Sequence, residues 1–218
     1  MQGLPALEYV LYRDGGLLAQ PAGEGFAPAC AYAQAVAGNV ARVGGELARA
    51  WAPQGGYAQR FAQPAADNPL YRSPQEVAAE AVKALSTGLQ FARDVKLQPV
   101  LGRGPDGAQP RRAPFWRSGL TLSAMQAWAG GLLAFYEAGG YDYGEEAWID
   151  GSVRDELTRV RDNFAAMPGS IQTVAADGDG YRRLVLASLL LKNAKDLVDQ
   201  HMAPSLGVAI GFNALDGD

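Results

Sequence analysis

What the sequence holds least of is sulfur and imidazole. It has one cysteine, Cys30, and one histidine, His201, in 218 residues. A lone cysteine excludes an intrachain disulfide, and its place in an alanine-rich run marks it as a small apolar filler. A Cys/His zinc centre needs several such ligands. A serine triad needs a histidine within reach of its nucleophile, and no triad pattern surrounds His201. If this sequence binds a metal by itself, the ligands are mainly oxygen, which favours calcium, magnesium or ferric iron over zinc or copper. Positive charge is also scarce: the formal net charge is -4 and the pI about 5.1. That is no electrostatic footprint for nucleic acid. No apolar run reaches the roughly 18 residues of a membrane span, and no basic start followed by an apolar stretch reads as a signal peptide.

What is present is alanine, leucine and valine at helical spacing. The 48% hydrophobic content supports a packed core. Leu4, Leu7 and Leu11 share one face of a first helix, with Pro5 suited to its opening turn. A helix from about Ala27 to Trp51 carries Val36, Val40, Val43, Leu47 and Ala50 on one side, with a bend possible at Gly44-Gly45. Residues 52–72, with Pro53, Gly55-Gly56, Pro64 and Pro69, form the longest break and the expected boundary between a first part, 1–72, and a second, 73–218. Ser73-Pro74-Gln75-Glu76 is a helix start of the capping-box kind. The helix it opens carries Ala78, Val82, Leu85, Leu89 and Ala92, runs to about Lys96 and stops before Pro99. Residues 98–114 read as loop. Its arginines 103, 111 and 112 are best taken as a solvated face, the alternative being a lid with anion-binding arginines.

Further on, a helix beginning at Thr121 or Ser123 carries Leu122, Met125, Ala129, Leu132 and Tyr136, and Gly139-Gly140 ends it. Ser152 is placed to cap another, with the stripe Val153, Leu157, Val160 and Phe164 and an exposed Asp155–Arg159 pair. Pro168-Gly169 breaks it. Asp177-Gly178-Asp179-Gly180 lacks the later ligands of a calcium loop and reads as a turn. The last long helix starts near Tyr181, carries Leu184, Ser188, Leu191, Lys195 and Val198, and ends before Pro204. It is apolar over so much of its circumference that it is expected at the centre of its bundle. No strand-like alternation persists, so the expected fold is all-α, a helical bundle.

Among these features Glu8 stands out, a carboxylate amid apolar neighbours. Either it is a rim group that favours the dipole of its helix, the commoner case, or it is buried and binds something. Gly3, Pro5 and Glu8 also carry a resemblance. The stretch resembles the signature of the imelysin family, insulin-cleaving metallopeptidase-like exported proteins linked to iron uptake, whose mark is Gly-x-His-x-x-Glu. Here Pro5 stands where the signature has histidine. Phe115-Trp116-Arg117-Ser118-Gly119-Leu120-Thr121-Leu122 and the closing stretch from Leu206 to Asp218 extend the resemblance from residue 3 to the C-terminus, the closing stretch being its most specific part.

The resemblance implies a two-bundle helical fold with the signature helix facing the cleft, and a periplasmic or cell-envelope protein of the lipoprotein kind. It also implies a substantial helical region before the signature, where this sequence has almost nothing. The expectation is therefore a fragment, a second chain that supplies the missing half, or a lost N-terminal half. The site lining is expected to be Glu8, Arg117, Ser118, Asn213 and Asp216. Glu8 is carried over from the signature as a metal ligand or general base. Arg117 could pair with it and hold it ionised, or make an ordinary structural ion pair. Ser118 has no histidine base beside it and is better suited to capping a helix. Asn213 and Asp216 lie in a glycine-bounded loop that suits ligand approach, or equally a capped chain end. The implied function is a non-proteolytic module that binds a hard cation such as iron or calcium, or a partner among iron-uptake components. The alternative is a metallopeptidase with an altered site. Proline has no side-chain donor, which counts against the alternative.

Overall fold

A computed structural model describes residues 2–19, 25–209, 211 and 215. Among them every regular element is a helix, as the periodicity predicts, and no helix is long and apolar enough to cross a membrane. The chain divides into two compact units, Met1–Ser73 and Pro74–Asp218.

In the first unit, α1 (Leu4–Tyr12) opens on Gly3, whose φ of 86° suits glycine, with Pro5 in the first turn where a missing N–H costs nothing. It packs against α2 (Phe26–Ala50), the buried apolar residues being Ala6 and Val10 on α1 and Ala33 and Val36 on α2. Helix α2 runs unbroken through Gly44-Gly45. The expected break at 52–72 contains a further short helix, α3 (Gly56–Ala62). Its rings Tyr57 and Phe61 meet Trp51 and Tyr71 edge to face, at centroid distances of 4.7 to 6.5 Å. Asn68 locks the following loop. Its amide donates to the carbonyls of Arg60 and Gln63, and its oxygen accepts from the N–H groups of Leu70 and Tyr71.

In the second unit, α4 (Pro74–Gln90) does not stop before Pro99. It continues as a π-helical stretch, Phe91–Leu97, into α5 (Gln98–Leu101). The same device recurs where α9 (Gly178–Leu197) passes through a π stretch, Val198–Met202, into α10 (Ala203–Ser205) around Pro204. In both places the last N–H before the proline reaches back five residues, Gln98 to Arg93 and Ala203 to Val198. Proline cannot donate to the carbonyl four residues earlier and its ring crowds that group. The wider turn relieves the conflict and lets the helix carry on.

Helix α6 (Thr121–Gly139) packs against α7 (Trp148–Ala165), α7 against α9, and α9 also against α4 and the short α8 (Ile171–Ala176). Leu184, Leu191 and Val198 are all buried, so α9 is central as expected, although Leu186 and Leu189 on its other side face outward. The α6 stripe turns on Leu133 rather than Leu132, which is only partly buried. Helix α7 begins four residues before Ser152, which lies inside it and does not cap it. Arg159 pairs with Glu156 at 3.0 Å in place of Asp155. Asp177 is more than a turn residue: it caps α9, accepting from the N–H of Gly180 at 2.7 Å, so the Asp-Gly-Asp-Gly stretch is a helix start.

Candidate functional site

Glu8 lies in the middle of α1 and is 8% exposed, between the buried Ala6 and Val10. The structure thus decides against a rim carboxylate. At 100° per residue Glu8 lies on the opposite side of α1 from Ala6 and Val10, so its burial is not that of the apolar face those two form. Pro5, one turn earlier, brings no donor to its side.

Arg117 and Ser118 belong to the second unit, in the tight turn between Pro114 and Thr121. The turn is heavily constrained. Phe115 has a φ of 58°, the left-handed region that a residue with a side chain enters only at a cost. Four hydrogen bonds hold it there. The Leu120 N–H and the Ser118 hydroxyl both donate to the Phe115 carbonyl, at 3.0 and 3.1 Å. The Thr121 hydroxyl donates to the Pro114 carbonyl at 2.6 Å, and the Gln172 amide, from α8, donates to the Trp116 carbonyl at 3.1 Å. Ser118 is therefore a brace within the turn and not a helix cap; the residue before α6 is Leu120, which offers no side-chain cap. Backbone strain persists where its surroundings over-determine it, and it gathers at ligand-contacting segments.

The turn and the loop before it bring together Arg117, a predicted site residue, and Arg111, one of the loop arginines read as a solvated face, which is exposed. The Arg117 guanidinium lies over the Trp116 ring, 4.3 Å from its centroid, and that of Arg111 lies 5.5 Å from the same ring. Arg111 comes from a single 3₁₀ turn, Pro110–Arg112. The signal was available: Trp116 beside Arg117 and five residues after Arg111, all within a loop whose prolines fix its course. Spacing alone could not show that one indole serves both arginines. Asn213 and Asp216 lie outside the described residues. Of the five predicted site residues, only Arg117 and Ser118 share an element; Glu8 belongs to the other unit.

A second polar assembly went unpredicted. Tyr136, buried at the end of α6, has its hydroxyl 3.1 Å from that of Tyr143 and donates to Asp150 at 3.0 Å. Arg154 grips Asp150 through Nε at 2.9 Å and reaches Glu137, also at 2.9 Å. Burial raises the Tyr136 phenol far above its ordinary value, assisted by Tyr143 and the Asp150 charge, and pushes the Tyr143 phenol up to about 12. The Arg154 guanidinium holds the Asp150 carboxyl below the usual range. The neutral phenols and ionised pair lock the α6–α7 corner, a stabilising role. An open cleft of about 440 Å³ beside α8 and the start of α9, lined by Met167, Val174, Asp177 and Arg183 among others, gathers none of the predicted site residues. Among the described residues no three His, Cys, Asp or Glu side chains converge as a metal site would require. His201 packs edge-on to Trp148, with ring centroids 5.0 Å apart, in the second unit.

The imelysin family model matches residues 1–201. The matched span takes in the α1 signature and the Pro114–Thr121 turn and ends before Leu206, so the closing stretch, expected to be the most specific part of the resemblance, lies beyond it. No curated protein and no solved structure matches the chain. With the family model covering most of the sequence and an all-helical structure beneath it, the chain belongs to the imelysin family.

Proposed function

We propose that this chain is a non-proteolytic imelysin-family module, exported to the periplasm or cell envelope, that binds a metal ion or a partner in iron uptake. One observation carries the reading: Pro5 occupies the first turn of α1 in the place of the signature histidine, one turn before the buried Glu8. Peptide hydrolysis by a metal needs ligands that hold the ion with an open position, and groups that stabilise the developing oxyanion. Proline supplies no ligand, and the one histidine of the sequence packs edge-on to Trp148. A carboxylate as buried as Glu8 is uncommon in a protein, which supports a binding role for it.

Purified protein, Glu8→Gln and a chelator-treated sample, compared on an unfolded protein substrate, test this. No cleavage by any of the three is expected; cleavage by the wild type that both controls abolish overturns the reading in favour of a metallopeptidase. Calorimetry with zinc is the companion. Pro5→His is expected to gain zinc affinity over the wild type, whereas wild-type binding tighter than about micromolar, roughly 8 kcal/mol, that Glu8→Ala abolishes would contradict it.

A further inference from the structure

We propose that the cleft beside α8 and the start of α9 binds a free amino acid with an apolar side chain, held as its zwitterion between Arg183 and Asp177. The inference stands apart from the metal or partner reading of Glu8, which belongs to the other unit. The cleft has a volume of about 440 Å³, within the range of small-molecule sites. Part of its lining is apolar and deep: Met167 and Val174 are 5% and 4% exposed. Two opposite charges line the same space. The Arg183 guanidinium has no partner among the described residues, although the backbone carbonyl of the residue accepts from the Asn163 amide at 2.9 Å. Asp177 commits one carboxylate oxygen to the Gly180 N–H at 2.7 Å, and its other oxygen has no partner among the described residues. The third charged group of the lining, Asp179, is already paired with Arg182.

Arg183 and Asp177 make no ion pair with each other, so both charges remain to be met by a ligand. An anion alone would face Asp177, and a cation alone would face Arg183; a molecule that carries both signs satisfies both. The arginine fork matches a carboxylate with two parallel hydrogen bonds, and the Asp177 oxygen accepts from an ammonium. The ligand side chain is then left to Met167 and Val174, and a thioether makes favourable contact with an aromatic ring. The frame is set before a ligand arrives. Ser170 caps α8 through the Thr173 N–H, Asp177 caps α9, and α8 meets α9 so closely that a Cβ on Gly180 would lie 2.3 Å from the Val174 carbonyl.

L-Phenylalanine is the probe, titrated calorimetrically into the full chain at low salt. Three analogues each remove one element: phenylpropionate lacks the ammonium, phenethylamine the carboxylate and glycine the apolar side chain. One site per chain is expected for phenylalanine, with each analogue at least tenfold weaker (~1.4 kcal/mol). Arg183→Gln and Asp177→Asn are each expected to weaken phenylalanine at least tenfold, the asparagine keeping the cap of α9. Asp177→Asn is expected to bind phenylpropionate no more weakly than the wild type does, because it removes a like charge; weaker binding there overturns the charge pairing. Arg42→Gln, an arginine paired with Glu46 on α2, is expected to leave binding unchanged. No binding of phenylalanine by the wild type, an analogue that binds as tightly, or binding that survives in the Asp177→Asn/Arg183→Gln double variant overturns the proposal. If the variants fail to fold by circular dichroism, the comparison of the four compounds on the wild type decides it alone.

Discussion

The two units of this chain are built from the same material with different results. Pro74–Asp218 assembles one continuous core, from Val82 on α4 through Leu157 on α7 to Leu191 on α9 and Met202 beyond it. Among the described residues of Met1–Ser73, four hydrophobic residues are buried, Ala6, Val10, Ala33 and Val36. Helix α2 is the longest of the chain's described helices at 25 residues, yet Val43 and Leu47, on the same stripe as Val36, are exposed. A short helix, α1 at nine residues, covers only part of a long one. Helical periodicity produces a helix with an apolar face; whether that face is covered depends on the length of its neighbour. What holds the end of the first unit is different in kind: edge-to-face rings around Trp51 and Tyr57 and the four backbone hydrogen bonds of Asn68.

The sharpest way to break this comparison is to separate the units. A chain cut to residues 74–218 is expected to unfold in one cooperative transition, and a chain of residues 1–73 to show no cooperative transition, because it lacks the apolar burial that offsets chain entropy. Denaturant unfolding followed by circular dichroism reads both; a cooperative transition in the 1–73 piece would erase the contrast. Next in size is a matched pair of truncations. Leu191→Ala, at a position 1% exposed, is expected to cost about 2–5 kcal/mol, whereas Leu47→Ala, 58% exposed, should stay within about 0.5 kcal/mol. Equal shifts in denaturation midpoint would mean that α2 is covered in solution.

The smallest expected effect sharpens what charge adds to the packed unit. Asp150 has a depressed carboxyl pKa, caused first by its hydrogen bond from Arg154. A depressed native value means the unfolded state binds the proton more readily. The pair's contribution is therefore complete above the ordinary carboxylate value, near 3.9, and is lost as pH falls through the native value. Both side chains are about two-fifths exposed, so solvent screening limits the effect to about 1 kcal/mol or less. Unfolding midpoints of the wild type and Asp150→Asn, measured from pH 7 down to pH 3, should differ most near neutrality and converge in acid; a constant gap would assign the loss to the Tyr136 hydrogen bond instead.

Much of the candidate site was legible only in part. Glu8 was conspicuous in the sequence because a carboxylate in an apolar stripe is unusual, but its burial needed a covering partner to be seen. Arg117 and Ser118 were singled out from the stretch around Trp116, yet the hydroxyl of Ser118 closes its own turn, a bond that depends on the left-handed Phe115 and so on a backbone state that no residue type announces. Arg111 was read as solvated and is exposed, while its place beside Trp116 comes from the course of the loop. Asn213 and Asp216 remain expectations, lying outside the described residues.

The sequence by itself determined the all-helical class, the centrality of α9 and the imelysin relationship, because apolar spacing and a matched order of residues are properties of the chain read in one dimension. Only the tertiary structure decided that the helices around Pro99 and Pro204 continue, that one indole meets two arginines, and that α2 leaves Val43 and Leu47 of its apolar stripe uncovered. Each of these depends on what lies opposite a residue in space: a core that rewards continuing the helix beyond the proline, a turn that folds the loop back on itself, and a neighbouring helix too short to reach.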